Sequence, residues 1–449
     1  MRSYDFHHIR GTRKILTKNT EQFLTALVAD KNGEIFELDG YAAVGRSGST
    51  LTPLTRGRTV PMPYGSELMY LPDRCPILYN RETNEFQTLD ENPFRSGDPI
   101  FPVAAFNSPG YVQSRMSAYK EKKGAKYLPL FSYGAVGWYG EGFRTPLILV
   151  DKERRQDLRL MKREKVLSGI RLMKKKLPRN RLRQHLESCA LTYGCPAGKN
   201  FFLGRYEAPL PTSTRCNARC LGCLSLQDKG VIPISQNRIK FTPRPEEIAE
   251  VALTHINRTK RAVVSFGQGC EGDPLLAADV IEPAIKRIRT QTDAGTIHMN
   301  TNGSKPAVIE RLLQSGLDSI RISINSVQEG CYKAYFRPVD YSISDVFKSI
   351  DFAVRLGKRV SINYLNMPGF TDTPEERNAL IAFLKKYPIH MIQWRNLNFD
   401  PLRYWKLMDS ASNIGTPMGM KTLLNEIRAE FPALRFGYFN PPKESFQSP

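Results

Sequence analysis

The sequence predicts an α/β protein: a partial (βα)6 TIM-like barrel, preceded by a small mainly-β N-terminal domain and a basic helical linker. Three observations carry this. From residue 205 onward, short apolar runs alternate with helical segments, the order of a parallel sheet with crossover helices. Residues 1–150 are short β-prone runs split by turn residues, and residues 151–204 crowd basic side chains onto a helical pattern. At 449 residues the chain is also longer than one core usually holds, about 250–300 residues.

Taken in order, residues 1–150 show a hairpin signal at Asn32-Gly33, and "YLPDRCPILYNRETNEFQTL" alternates in the same style. "LPLFSYGAVGWYGEGFRTPLILV" is the most apolar stretch, but its glycines and aromatics suit buried strands and a turn. The first residues, "MRSYDFHHIRGTRK", carry charge without an apolar h-region, and no run reaches the ~18 apolar residues of a membrane span. A cytoplasmic protein without a membrane partner is expected. In 151–189 basic residues surround Leu158, Met161, Ile170 and Met173, predicting an amphipathic helix or helix pair broken near Pro178, with a solvated basic face.

The barrel strands are read at "YEAPLPTS", "VVSFG", "TIHMNTN", "SIRISIN", "RVSINYL" and "MIQWRNL". Helices are expected from Pro245, Leu276, Pro306, Ile343 and Pro374. The core is thus expected over 205–400, and 401–449, with a helix around Lys421 to Glu430 and a possible strand "LRFGYF", as a C-terminal cap. In a barrel of this kind, ligand chemistry belongs at the C-terminal ends of the strands.

The 65 Lys and Arg against 44 Asp and Glu give a net charge of +21, which attracts polyanions and equally serves solubility. The eight cysteines are too few for a disulfide scaffold in a chain this long. Three of them, in "RCNARCLGC", are Cys216, Cys220 and Cys223, in the loop after the first predicted barrel strand. A structural zinc wants four closed ligands, so three cysteines leave it one short. Zinc remains an alternative if Cys189 or Cys195 completes the set, giving a zinc-stabilised nucleic-acid-binding protein. An iron–sulfur cubane held by three thiolates keeps one iron open for a bound molecule.

The Cys-x3-Cys-x2-Cys spacing in this βα loop resembles that of the radical S-adenosylmethionine (radical SAM) superfamily. The resemblance covers 205 to about 398. It implies a [4Fe–4S] cluster on Cys216, Cys220 and Cys223 whose fourth iron chelates S-adenosylmethionine. By the same implication, reductive cleavage yields a 5′-deoxyadenosyl radical that abstracts hydrogen from a substrate. The enzyme would be oxygen-sensitive and would draw electrons from a reductase or a flavodoxin- or ferredoxin-type donor. "CEGDP" is similar to the family's Gly-Gly-Glu-Pro, which receives the methionine amino group, so Glu271, Gly272 and Asp273 are cofactor candidates. Either Glu271 or Asp273 could supply the acceptor. "MNTNGS" is similar to the family's Thr-Asn-Gly and places Asn302 near the cofactor, while Ser323 and Asn325 of "RISINS" could meet the ribose hydroxyls. The position before the third cysteine, often aromatic in the family, is Gly222. Thr373-Pro374-Glu375-Glu376 reads as a capping box, which assigns Glu376 to the helix N-terminus.

Cys189 and Cys195, just before the first barrel strand, suit half of a possible second iron–sulfur cluster, with Cys270 or Cys331 as further ligands. Substrate and reaction outcome are not written in the sequence. An anionic substrate, RNA or a peptide, read by the N-terminal domain and the basic linker is one reading of the charge.

Overall fold

The computed structural model describes residues 22–446 apart from 154, 156 and 229. The charged opening stretch read for targeting signals lies outside the described residues. No helix among the described residues is long and apolar enough to cross a membrane.

Two compact units divide the chain. The first takes Met1–Asn107, Arg115–Lys126 and Tyr133–Leu147; the second takes Ser108–Ser114, Tyr127–Ser132 and Ile148–Pro449. The last boundary between the units falls between Leu147 and Ile148, and Ser108–Ser114 and Tyr127–Ser132 belong to the second unit.

The first unit is antiparallel β structure. Thr25–Ala29 and Ile35–Ala42 pair antiparallel. Their turn is fixed by Asp30 Oδ1, which accepts from the N–H groups of Asn32 (2.8 Å) and Glu34 (2.9 Å). Gly33 takes φ 85°, the left-handed conformation that a tight turn asks of glycine. Arg74–Asn80 and Glu85–Thr88 form a second hairpin, and alternate residues such as Ala26, Val28, Leu38 and Leu78 meet in one buried cluster.

In the second unit seven strands form one parallel sheet in chain order: β1 (Glu207–Pro209), β2 (Val263–Phe266), β3 (Thr296–Thr301), β4 (Ser319–Ile324), β5 (Arg359–Asn366), β6 (Met391–Asn396) and β7 (Arg435–Phe436). The order ends at β1 and β7, which are not paired with each other, so the barrel is partial. The helices are α1 (Arg163–Lys176), α2 (Arg181–Thr192), α3 (Pro196–Leu203), α4 (Pro245–Ile256), α5 (Ala278–Arg289), α6 (Pro306–Gln314), α7 (Glu329–Phe336), α8 (Ile343–Arg355), α9 (Pro374–Lys386), α10 (Pro401–Ala411) and α11 (Met420–Glu430). Proline occupies the first turn of α4, α6 and α9, where its missing N–H has no intrahelical partner to lose. Helices α3, α7 and α10 are additions to the expected set. The basic linker is α1 and α2, broken between Lys176 and Arg181.

Strand periodicity sorts the barrel's two faces. Ile297, Met299, Ile320, Ile322, Val360, Ile362 and Ile392 are fully buried on one face, and α4 and α8 pack against the sheet. The other face is polar. His298 Nδ1 meets Ser319 Oγ at 2.7 Å, Arg321 Nη1 donates to Gln393 Oε1 at 2.7 Å, and Ser265 Oγ donates to Glu207 Oε1 at 2.5 Å. These pairs meet part of the hydrogen-bonding need of the buried face, while Arg321 Nη2 has no partner among the described residues. Their face fits a molecule rich in hydrogen-bonding groups better than a greasy one.

Linker helix α2 is docked to α4 by specific bonds. Asn180 caps α2 and its amide donates to Glu247 O (2.9 Å) and Glu250 Oε2 (2.8 Å). Arg181 grips the Glu247 carboxylate through two bonds, at 2.9 and 2.6 Å. That two-pronged pairing, with backbone donors from Arg181 and Arg244, holds the Glu247 carboxyl down to about 2.

Candidate functional site

The long segment between β1 and α4 carries Cys216, Cys220 and Cys223, all partly buried and none in a disulfide. Its shape comes from backbone bonds to the stretch that ends α7. Arg219 N–H donates to Phe336 O (3.0 Å), Leu221 N–H to Tyr335 O (3.1 Å), and Val339 N–H to Asn217 O (2.8 Å). Arg337, in the left-handed region at φ 49°, turns the chain between these contacts. Cys223 N–H closes a turn on Cys220 O at 3.2 Å, and the Gln227 amide donates to Leu221 O and Cys223 O, each at 2.9 Å.

At Gly222 an added Cβ would lie 2.5 Å from Tyr335 Oη and 3.2 Å from Asn398 Oδ1. Asn398 donates to Gly222 O at 2.8 Å. The space of a side chain before the third cysteine is thus taken by the Tyr335 hydroxyl, and glycine is the residue that fits.

The turn after β2 lies against the same segment. Gly272 N–H donates to Ser213 O (2.7 Å) and Asp273 N–H to Arg215 O (2.9 Å). A Cβ on Gly272 would fall 1.9 Å from Arg215 O, so only glycine permits this approach.

The structure separates the two carboxylates that the sequence leaves equivalent. Glu271 Oε2 accepts from the N–H groups of Thr212 (2.7 Å) and Ser213 (2.9 Å), and Oε1 from those of Gly267 (2.7 Å) and Gln268 (2.8 Å). Its two oxygens are committed to four backbone donors. Burial pushes its carboxyl up to about 7, against the pull of those donors. Asp273 accepts from Leu275 N–H (3.0 Å) and Thr301 Oγ1 (2.8 Å) on Oδ1, but among the described residues Oδ2 accepts only from Asn302 N–H (2.7 Å). Asp273 also lies close enough to Cys216 and Cys220 for its charge to act on both thiols.

Asn302 reaches the cysteine segment directly, its Nδ2 donating to Asn217 Oδ1 at 2.9 Å. Ser323 sits half-buried on β4, in register with Asn363 of β5, whose buried Oδ1 has no hydrogen-bond partner among the described residues. Asn325 departs from the expectation. The strand ends at Ile324, and Asn325 is fully buried with its amide donating to Cys331 O (3.0 Å) and Tyr404 Oη (3.2 Å). Its Nδ2 is spent on packing α7 and α10, while its Oδ1 has no partner among the described residues. Glu376 also departs. Thr373 Oγ1 accepts from Glu376 N–H at 3.4 Å, but the carboxylate is turned away from the cap. It accepts from Ser326 Oγ (2.8 Å), Gln328 Nε2 (2.6 Å) and the Tyr364 hydroxyl, wholly buried. The capping box is half-formed because three buried donors outcompete one N–H.

Burial pushes the Cys216 thiol up to about 11 and that of Cys220 well above its ordinary value, with Asp273 and the neighbouring thiols adding to the effect. Three thiolates held together here ask for a compensating cation. Among the described residues, the three-ligand group whose donor atoms all lie within 4.8 Å of one another is His185, Cys189 and Cys270, not this triplet. The triplet is too open for a single tetrahedral zinc, whose sulfurs sit roughly 3.8 Å apart at Zn–S bonds of about 2.3 Å. A cluster that spreads its ligands over separate irons fits better. The unpartnered Asn363 Oδ1 adds a buried acceptor for a bound molecule.

Cys189 and Cys195 are not brought together as a ligand pair. Cys189 meets His185 and Cys270, while Cys195 precedes α3 and donates its backbone N–H to Cys189 O at 3.1 Å. Nothing in the cysteine spacing points to His185. The signal was its place four residues before Cys189 on a helical pattern, which puts both on one face.

Comparison with known proteins bears on the same residues. Residues 210–384 match the Radical SAM superfamily. A GTP 3',8-cyclase of Clostridium botulinum (strain Hall) is 30% identical over 181 residues, 39% of this chain and 51% of that protein. One of Marinobacter nauticus is 29% identical over 179 residues, 39% of this chain and 49% of that protein. The chain spans about half the length of these curated relatives. Among solved structures, the [FeFe]-hydrogenase maturase HydG is 18% identical at a TM-score of 0.36, with 62% of this chain and 67% of that one covered. With its cysteine triplet in the loop after the first strand of a parallel α/β barrel, the chain carries a radical SAM superfamily domain over residues 210–384.

Proposed function

We propose that this chain is a radical SAM enzyme that cleaves S-adenosylmethionine reductively and acts on an anionic or strongly polar substrate. The observation that carries the reading is the joining of the Cys216–Cys223 segment to the Gly272–Asp273 turn. Two backbone bonds and a glycine that admits no Cβ bring Asp273 beside the thiols. A [4Fe–4S] cluster and S-adenosylmethionine bound there would supply one-electron reductive cleavage of the sulfonium and, through it, radical hydrogen abstraction.

The chain's own residues supply placement. Cys216, Cys220 and Cys223 hold the metal centre. Asp273 is the acceptor for the cofactor's ammonium, because its Oδ2 accepts a single backbone N–H while Glu271 is saturated. Glu271 is a positioning residue that fixes the turn from behind. Asn302 ties that turn's partner to the cysteine segment, and Ser323 with Asn363 offers polar groups to the ribose or the substrate. Arg321 and Arg395 give the barrel's polar face two cations, consistent with an anionic substrate. The name of the curated relatives points to a guanine nucleotide as one member of that class.

Reading of RNA or a peptide by the linker is not favoured for Arg181 and Arg183, which are engaged by Glu247 and Glu187. A reductase or a flavodoxin- or ferredoxin-type donor would deliver the electron, in the cytoplasm.

The test is anoxic purification with iron and sulfide analysis, then reduction in the presence of S-adenosylmethionine. The proposal expects 5′-deoxyadenosine from the wild-type protein and none from Cys220→Ala. A cluster-loaded protein that releases none would overturn it.

A further inference from the structure

A second group of soft ligands lies outside this site. On α2, His185 and Cys189 are one helical turn apart, and Cys270 comes from the turn after β2. His185 Nε2 lies 3.4 Å from Cys189 Sγ and 3.4 Å from Cys270 Sγ, and all three donor atoms fall within 4.8 Å of one another. Both cysteines are buried and carry thiols, not a disulfide. From these contacts we propose that His185, Cys189 and Cys270 form a binding site for a single zinc-class divalent cation.

The spacing decides the class of ion. With bonds of about 2.3 Å to sulfur and 2.0–2.1 Å to nitrogen, a tetrahedral zinc sets its ligand atoms roughly 3.6–3.8 Å apart. The observed 3.4 Å separations are within a few tenths of that edge. A cubane binds each ligand through a different iron and needs a wider set, so the second iron–sulfur cluster expected from the cysteine spacing is not the better fit. Two thiolates and a neutral imidazole also balance a divalent charge, the two thiol protons leaving to solvent on binding.

Room for a fourth ligand exists on the open side. His185 and Cys189 line a cavity of about 460 Å³ with Arg181, Tyr193, Arg238 and Phe241. A water in that cavity would complete the tetrahedron; Cys195 is not part of the close group.

The position gives the ion a structural consequence. Cys270 directly precedes Glu271, and its carbonyl accepts from Ile239 N–H at 2.7 Å. Arg238, which lines the cavity, also reaches Cys223 Sγ at 3.6 Å. An ion here would tie the linker helix α2 to the turn that carries Asp273.

The test removes the first metal centre so that the two sites are read apart. In full-length protein with Cys216, Cys220 and Cys223 all changed to alanine, the proposal expects roughly one zinc per chain by elemental analysis. Cobalt(II) in its place should give the intense visible bands of tetrahedral thiolate coordination. Adding Cys189→Ser or Cys270→Ser should lower zinc retention against a chelator at least about tenfold, and so should His185→Ala. Cys331→Ser, at a buried thiol outside the group, should leave it unchanged, and circular dichroism of each variant separates ligand loss from misfolding. Zinc below about a tenth per chain in the triple variant would overturn the proposal. So would iron and sulfide in its place, or equal retention in the folded His185, Cys189 and Cys270 variants. None of these readouts depends on cleavage of S-adenosylmethionine.

Discussion

Glu271→Gln is expected to be almost as damaging as Glu271→Ala. Both carboxylate oxygens accept, each from two backbone N–H groups, at 2.7–2.9 Å. A backbone N–H cannot turn around to become an acceptor. Glutamine keeps one oxygen and replaces the other with an NH2 that confronts two donors, so two buried N–H groups lose their partner. Hydrogen bonds to a charged acceptor contribute about 1.5–3 kcal/mol each, and relief from burying a charge offsets part of the loss, leaving about 2–4 kcal/mol. Alanine orphans all four donors, at about 3–5 kcal/mol. Hydrogen–deuterium exchange followed by mass spectrometry reads this locally. Peptides covering 212–213 and 267–268 should exchange about 30- to 1,000-fold faster in Glu271→Gln, while the peptide over Thr296–Thr301 stays protected. Unchanged exchange at both sites, with stability within about 0.5 kcal/mol of wild type, would refute the reasoning.

Glu376 should behave in the opposite way. Two of its three donors are the hydroxyls of Ser326 and Tyr364, which can rotate to accept from an amide, so Glu376→Gln should cost about 1 kcal/mol and Glu376→Leu about 3 kcal/mol in urea unfolding. At Gly222, alanine should cost about 1–3 kcal/mol through its contact with Tyr335 Oη, and adding Tyr335→Phe should recover part of the loss; strictly additive effects would show that the hydroxyl is not the obstacle. Glu247, depressed to about 2 chiefly by its bonds to Arg181, adds stability that is fully present above its ordinary 4.5 and is lost as pH falls through about 2. Screening at the 45% exposed Arg181 limits this to about 1–2 kcal/mol, and Arg181→Ala should flatten the acid limb of the stability–pH curve between those values.

The barrel was legible because its signals are local. Apolar strand runs, prolines opening α4, α6 and α9, and the loop position of the cysteines are each written in a few consecutive residues. What escaped depends on contacts between distant segments. Glu271 and Asp273 look equivalent in sequence, and only the approach of 212–213 to 267–268 shows that one is saturated. Asn325 shares a strand face with Ser323 by counting, yet the strand ends one residue earlier and α10 claims its amide. Glu376 satisfies a capping pattern that the buried Ser326, Gln328 and Tyr364 override. His185 was overlooked because cysteine counting takes no notice of a histidine one helical turn away.

The interleaving of the two units along the chain bears on how this protein could have been assembled in evolution. Asn366 and Asn396, at the ends of β5 and β6, bind the strand around Tyr111 and Gln113. Asn366 Nδ2 donates to Gln113 O at 2.8 Å, Asn396 Nδ2 to Tyr111 O at 2.9 Å, and Gln113 N–H returns to Asn396 Oδ1 at 2.9 Å. A barrel gene begun at residue 150 would lack that strand, and three hydrogen bonds at the mouth of its last long strands would go unmade. The first 150 residues therefore include part of the barrel's own unit. A join at residue 150 would have had to bring Ser108–Ser114 with it, or replace the groups it offers to Asn366 and Asn396.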